Sequence, residues 1–226
     1  MWLIAITILL SLFLISNLPL VNSKMEIPES NTSNTLFYSI LNENNKMFIE
    51  VINCSPTNRC IGTPEDDNIT GTNLNDQIFG LSGNDQIFGL SGNDSITGNI
   101  GNDNIYGNKG DDNLYGDEIF EINKFDLRLY DSNDRISGDI GNDNVDGGIG
   151  DDFIEGGKDN DILQGNYGSD YIFGDEGNDL LFGFKKNDSY DESIDYIDCG
   201  PGNNDTAYIT QLDSTQNCEN ILLGEN

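Results

Sequence analysis

The residues with chemistry to offer in this chain are aspartates at a fixed interval. Asp67, Asp76, Asp85, Asp94, Asp103 and Asp112 fall nine residues apart, and Asp134, Asp143, Asp152, Asp161, Asp170, Asp179 and Asp188 resume the interval after one interruption. Each is the sixth residue of a nine-residue unit, such as Gly-Leu-Ser-Gly-Asn-Asp-Gln-Ile-Phe at 80–88. If units two apart stack, so do their carboxylates. Two bare carboxylates about 5 Å apart repel by roughly 3 kcal/mol at an effective dielectric near 20, so a positive charge has to sit between the turns. Oxygen-only ligands, no histidine and no spare cysteine select a hard cation that tolerates irregular coordination, which is calcium. The candidate ligands are Asp67, Asp76, Asp85, Asp94, Asp103, Asp112, Asp143, Asp152, Asp161, Asp170 and Asp179, with turn carbonyls supplying further oxygens. The strongest pairs are Asp85/Asp103, Asp94/Asp112, Asp152/Asp170 and Asp161/Asp179.

The rest of the unit has to position that aspartate. Its first six residues are rich in Gly, Asn and Asp and must turn. Glycine at the first and fourth positions permits positive φ. The eighth position is apolar throughout: Ile69, Ile78, Ile87, Ile96, Ile105, Leu114, Ile136, Val145, Ile154, Leu163, Ile172 and Leu181. One apolar side chain per unit cannot bury itself, so the unit is a repeat of a stacked array. Two units make one coil of turn, strand, turn, strand, and stacked coils pair strand over strand at about 4.8 Å. Thirteen units predict about six coils, on the order of 30 Å in all. The expected fold is all-β: a parallel β-roll, that is a calcium-binding β-solenoid, with small capping strands at both ends.

These units resemble the G-G-x-G-x-D-x-U-x nonapeptide of the RTX (haemolysin-type) calcium-binding repeats. The resemblance covers residues 62–191 and extends to a variant closing unit at Gly200–Tyr208. It implies a parallel β-roll with Ca²⁺ between successive turns on each side. The chain departs from the pattern at position two, which is Gly only at Gly148 and Gly157. It departs at position four in Glu65, Leu74, Ser132, Asp159 and Lys186, and sites built from those units are expected to be weak or empty. The competing fold is a metal-free solenoid with asparagine ladders. It leaves an aspartate at every sixth position unexplained.

Composition narrows the function classes. Forty Asp+Glu against ten Lys+Arg give a net charge of −30, which excludes a phosphate-binding nucleic-acid surface. The absence of histidine removes Ser-His-Asp triads, Cys-His dyads and the common zinc hydrolase sites. Four cysteines allow three pairings. The local one, Cys54–Cys60 and Cys199–Cys218, is expected because the roll separates the two ends. Disulfides imply an oxidising compartment.

The chain divides as follows. Residues 1–23 are expected to be a secretory signal peptide, the alternative being an uncleaved membrane anchor formed by the apolar run 2–21. Residues 24–61 form an N-terminal β cap, with strands at 35–41 and 47–52. Residues 62–115 are the first repeat block, 116–128 an apolar insertion or flap, 129–208 the second block and 209–226 a C-terminal cap. The expected function is an exported calcium-binding protein, non-enzymatic, located outside the cell or at its surface, whose folding is coupled to Ca²⁺. The alternative is an adhesion or interaction module that uses the roll or the 116–128 flap to engage a cell-surface, glycan or protein partner. An enzyme or an accessory module of one fits less well. Only about 38 residues precede the first unit after the signal, far short of a catalytic domain.

Overall fold

The computed structural model describes residues 36–41, 47–55, 59–117, 132–184 and 193–224. The signal segment 1–23, the linker that follows it and nearly all of the 116–128 flap lie outside these residues. Every regular element among the described residues is a β-strand. One sheet stacks Met47–Asn53, Asp67–Thr70, Gln86–Ser91, Asn104–Lys109, Arg135–Ile140, Phe153–Lys158, Tyr171–Glu176, Tyr196–Asp198 and Ser214–Gln216. The other stacks Cys60–Ile61, Gln77–Ser82, Ser95–Ile100, Asn113–Tyr115, Asn144–Ile149, Ile162–Tyr167, Leu180–Phe184, Thr206–Ile209 and Asn220–Leu223. Consecutive strands alternate between the sheets, and strands two units apart pair in parallel. Ile87 therefore lies opposite Ile105, and Ile105 opposite Ile136.

The eighth-position side chains of both sheets meet in a single-file core. Ile69, Ile78, Ile87, Ile96, Ile105, Leu114, Ile136, Ile154, Leu163, Ile172 and Leu181 are fully buried. One apolar side chain in nine residues is a thin core, so the roll leans on its backbone ladders and on its turns.

The roll is longer than the expected six coils, with nine parallel strands on each side. Sequences without the glycine signature also wind into it. Ile52 pairs with Ile69 below the first recognisable unit, and Thr215 and Ile221 lie opposite Ile197 and Ala207 at the far end. The terminal strands are thus outer coils of the same sheets. Among the described residues the one antiparallel element is Leu36–Leu41, which runs against Met47–Asn53 at the edge.

The disulfides are the two expected, Cys54–Cys60 and Cys199–Cys218. Cys54 and Cys199 take the turn place that glycine holds in the repeats. Cys54 N–H donates to Thr70 O as Gly71 N–H does to Phe88 O, and the Cys199 carbonyl lies over Gly174 as the Gly174 carbonyl lies over Gly156.

Two insertions fall differently from the sequence-based placement. The unit expected to restart at Leu129 starts at Gly116. A Cβ there would overlap Asp134 Oδ2, the relation each first-position glycine has to its own aspartate. The extra residues therefore enter inside one turn, between Asp117 and Ser132. The unit opening at Gly183 is likewise split, and its sixth place is taken by Asp195, beside Gly183. Asp188 lies outside the described residues. Inside a turn an insertion disturbs neither the strand nor the stacked aspartate, which explains why the array survives both.

Candidate metal centres

Sixth-position aspartates form two files, one along each edge of the roll. In the first file each aspartate donates its backbone N–H to Oδ1 of the one in the next coil, running Asp67, Asp85, Asp103, Asp134, Asp152, Asp170, Asp195, Asp213. The second runs Asp76, Asp94, Asp112, Asp143, Asp161, Asp179, Asp205 and ends with Asp205 N–H on Glu219 Oε2. These bonds span 2.7–3.1 Å; Asp94 N–H to Asp112 Oδ1, for instance, is 2.7 Å. All four strongest pairs from the sequence are direct neighbours in these files.

The second carboxylate oxygen is left over. Oδ2 of Asp85, Asp94, Asp103, Asp112, Asp134, Asp143, Asp152, Asp161, Asp179 and Asp205 is buried and accepts no hydrogen bond. A buried polar atom without a partner costs about 1–3 kcal/mol, and more when charged, so a file of them signals something that belongs there. The surroundings are oxygen. A Cβ built on Gly156 would lie 2.5 Å from Asp161 Oδ2 and 2.8 Å from the Gly174 carbonyl oxygen. Gly89 repeats this with Asp94 Oδ2 and the Gly107 carbonyl. First-position glycine thus keeps open a space that a carboxylate oxygen and a carbonyl oxygen of the next coil both face.

That role corrects the sequence reading of glycine. The left-handed backbone sits at positions two and four: Leu90 has φ 83° and Gly92 has φ 117°. Position two, where glycine is nearly absent, is filled in such turns by Leu81, Leu90, Asn99, Asn108, Asp139, Asn166 and Asp175. Asn and Asp tolerate the left-handed region and leucine does so under strain. Asp159 adopts it at position four in place of glycine, with φ 82°.

The first turn of each file is built differently. Asp67 Oδ2 accepts the Thr63 N–H and Asp76 Oδ2 accepts the Thr72 N–H, both at 2.6 Å. These two candidate ligands therefore carry satisfied carboxylates. Sequence reasoning missed Asp195, Asp205 and Asp213 as file members, although Asp195 and Asp205 keep the two-residue spacing to the core positions Ile197 and Ala207, and Asp213 keeps it to Thr215, the half-buried partner of Ile197. A second ladder, on the outer side of the turns, joins fifth positions: Asn102 N–H donates to Asn84 Oδ1, and Asn160 N–H to Asn142 Oδ1. The asparagine ladder expected only of a metal-free solenoid coexists with the aspartate files.

Burial governs the electrostatics. It pushes the carboxyl of Asp112 up to about 6, those of Asp85, Asp143 and Asp179 to about 7, and those of Asp103 and Asp161 to about 8. Asp134 reaches about 9 and Asp152 about 10, the latter also through the charges of Asp170 and Asp134. Without a cation, burial thus favours the protonated form of these groups relative to water. Among the described residues no three acidic, His or Cys side chains converge on a point. A cation held at these turns would draw on carboxylate oxygen and main-chain carbonyl oxygen, a hard-oxygen donor set that suits calcium.

Roll and turns together define a calcium-binding parallel β-roll. The chain belongs to the RTX family: the model of the RTX calcium-binding nonapeptide repeat matches it in four copies, at residues 61–96, 88–118, 130–163 and 155–183. No curated protein matches the chain. With a buried aspartate in every repeat, it binds several calcium ions.

Proposed function

We propose that this is an exported, non-enzymatic calcium-binding protein whose roll forms only when calcium fills its interior turns. The observation that carries this reading is the set of buried Oδ2 atoms in both files that accept no hydrogen bond, those of Asp85, Asp103, Asp134 and Asp152 in the first and of Asp94, Asp112, Asp143, Asp161, Asp179 and Asp205 in the second. The ligands would be Asp85, Asp94, Asp103, Asp112, Asp134, Asp143, Asp152, Asp161, Asp170 and Asp179, extended by Asp195 and Asp205, with first-position carbonyls of the neighbouring coil. Bound calcium supplies the positive charge between stacked carboxylates. The chain's own part is to align those carboxylates through the N–H to Oδ1 ladder and to exclude water from them.

Export is supported by the apolar run at residues 2–21 and by two disulfides, which persist in oxidising compartments. A non-enzymatic role is supported by the repeat itself, which accounts for each buried sixth-position acid by its place in a turn. Extracellular calcium modules bind at about 10⁻⁴–10⁻³ M, and at tenfold excess each ion adds about 1.4 kcal/mol. Inside a cell the same sites stay empty, so the chain would remain unfolded until exported. Circular dichroism of the mature chain tests this. A disordered spectrum in chelator should become a β spectrum, cooperatively, as calcium rises to millimolar. An unchanged β spectrum in excess chelator would refute it.

One surface favours the interaction reading as an added role. On the outer face of the first sheet, Phe153 lies against Phe173 at 5.1 Å, Phe173 against Tyr196 at 5.9 Å, and Tyr171 is 55 % exposed beside Tyr196. Such a row suits stacking of a neutral glycan, since the net charge of −30 repels anionic polymers. Affinity electrophoresis in neutral polysaccharide gels should show retardation of the wild type and none of Tyr171→Ala.

A further inference from the structure

Among the described turns that no insertion interrupts, two kinds stand out, and the residue at position two separates them. In one kind that residue has positive φ and its N–H leaves the turn; Asn99 N–H donates to the Gly116 carbonyl of the next coil at 2.8 Å. Oδ2 of the aspartate is then left without a donor, as at Asp94, Asp103 and Asp112. In the other kind position two is threonine. Thr63, Thr72 and Thr210 each donate their N–H to Oδ2 of the aspartate of the same turn, Asp67, Asp76 and Asp213, at 2.6 Å in all three. Each threonine hydroxyl also accepts the N–H two residues on, from Glu65, Leu74 and Leu212. Three separate stretches of sequence thus close a turn with the same two bonds, the one at Thr210 spanning one residue fewer.

The cause is covalent. A β-branched residue resists positive φ. With threonine at position two the N–H stays inside the turn and meets the carboxylate in a short, charge-assisted hydrogen bond. Position four follows suit, since Glu65 and Leu74 do not take the left-handed backbone that Gly83 and Gly92 take in the coil above. The donor stands where the open turns leave their carboxylate oxygen bare.

We propose that position two decides whether a turn of this roll takes calcium, and that threonine there writes a turn that needs none. The closed turns at Asp67 and Asp76 start the two files and the one at Asp213 ends the first, so coils at both ends are held without the ion. Calcium sites are confined to the turns between them. This inference rests on the calcium reading of the interior turns, and the test separates the two.

Calcium bound per chain is measured by equilibrium dialysis of the full mature protein at saturating calcium. Three proteins are compared with the wild type. Asp94→Asn should bind at least one ion fewer. Asp76→Asn should bind as many as the wild type. The double variant Thr72→Gly/Leu74→Gly, which writes an open turn, should bind one ion more. No gain in the double variant, or a loss in Asp76→Asn, would overturn the inference while leaving the calcium reading intact. A wild type that binds no calcium would overturn both.

Discussion

The turn at Gly89–Asp94 and the turn at Gly71–Asp76 are neighbours in one file, yet they use the same aspartate differently. In both, Oδ1 serves the next-lower coil or stands at its end, and the aspartate N–H continues the ladder upward. Oδ2 is satisfied by Thr72 in the outer turn and by no hydrogen bond in the inner one. The difference teaches that a repeat protein can vary how a turn carboxylate is satisfied, coil by coil, without changing its strands. Ile78 and Ile96 face each other across these coils, equally buried. The core cannot tell the two turns apart; only the backbone at positions two and four does.

The largest effect that could break the comparison comes from removing calcium. Hydrogen exchange of the mature chain in chelator should show amide protection in residues 80–183 falling by orders of magnitude. The cystine-clipped segments around 60–70 and 206–216 should lose least. Uniform loss along the chain would erase the distinction between end and interior.

Next comes a single side chain at position four. Leu74 is native in the closed turn, whereas its counterpart Gly92 has φ 117° and a Cβ there would lie 2.5 Å from the Leu74 carbonyl carbon. Gly92→Leu should destabilise the calcium-loaded roll by on the order of 4 kcal/mol, from left-handed strain and overpacking together. Denaturant unfolding in saturating calcium measures this. A cost below about 1 kcal/mol would mean that the two turns are interchangeable.

Breaking the clips has a smaller effect, confined to the ends. The bridged segments span 6 and 19 residues. Loop-closure entropy then predicts losses of about 2 kcal/mol for Cys54→Ala/Cys60→Ala and about 3 kcal/mol for Cys199→Ala/Cys218→Ala. Exchange rates should rise near each missing bridge and stay unchanged at Asp112–Asp143.

Last comes the effect of pH on the calcium-free chain. Burial holds Asp85, Asp143 and Asp179 at about 7 and Asp103 and Asp161 at about 8, against an ordinary 3.8. Between about pH 4 and those values the roll binds more protons than the unfolded chain, so its stability falls as pH rises through the window. In chelator, circular dichroism should therefore show more β structure at pH 5 than at pH 8. With calcium present the order should reverse, because protons compete for the same oxygens. More β structure at pH 8 in chelator would contradict the burial of the files.

Much of this molecule was legible in one dimension. A nine-residue period with Asp sixth and an apolar residue eighth was enough for the parallel roll, the two files and the single-file core, because each rung repeats the same local chemistry. The cysteine pairing was legible too, since a roll keeps its ends apart. Less legible was everything that breaks phase. Asp195 replaced Asp188 because an insertion inside a turn shifts the count without shifting the stack. Coils at Ile52 and Thr215 lack the glycine signature and join the roll through ladder pairing alone. By itself the sequence determined the repeat, the carboxylate in each turn and hence the binding of calcium, all properties of residue type and spacing. Only the tertiary structure decided which carboxylates are left open, because that turns on the direction of one N–H at position two. Direction follows from φ and from the coil above, and neither is written in a single unit.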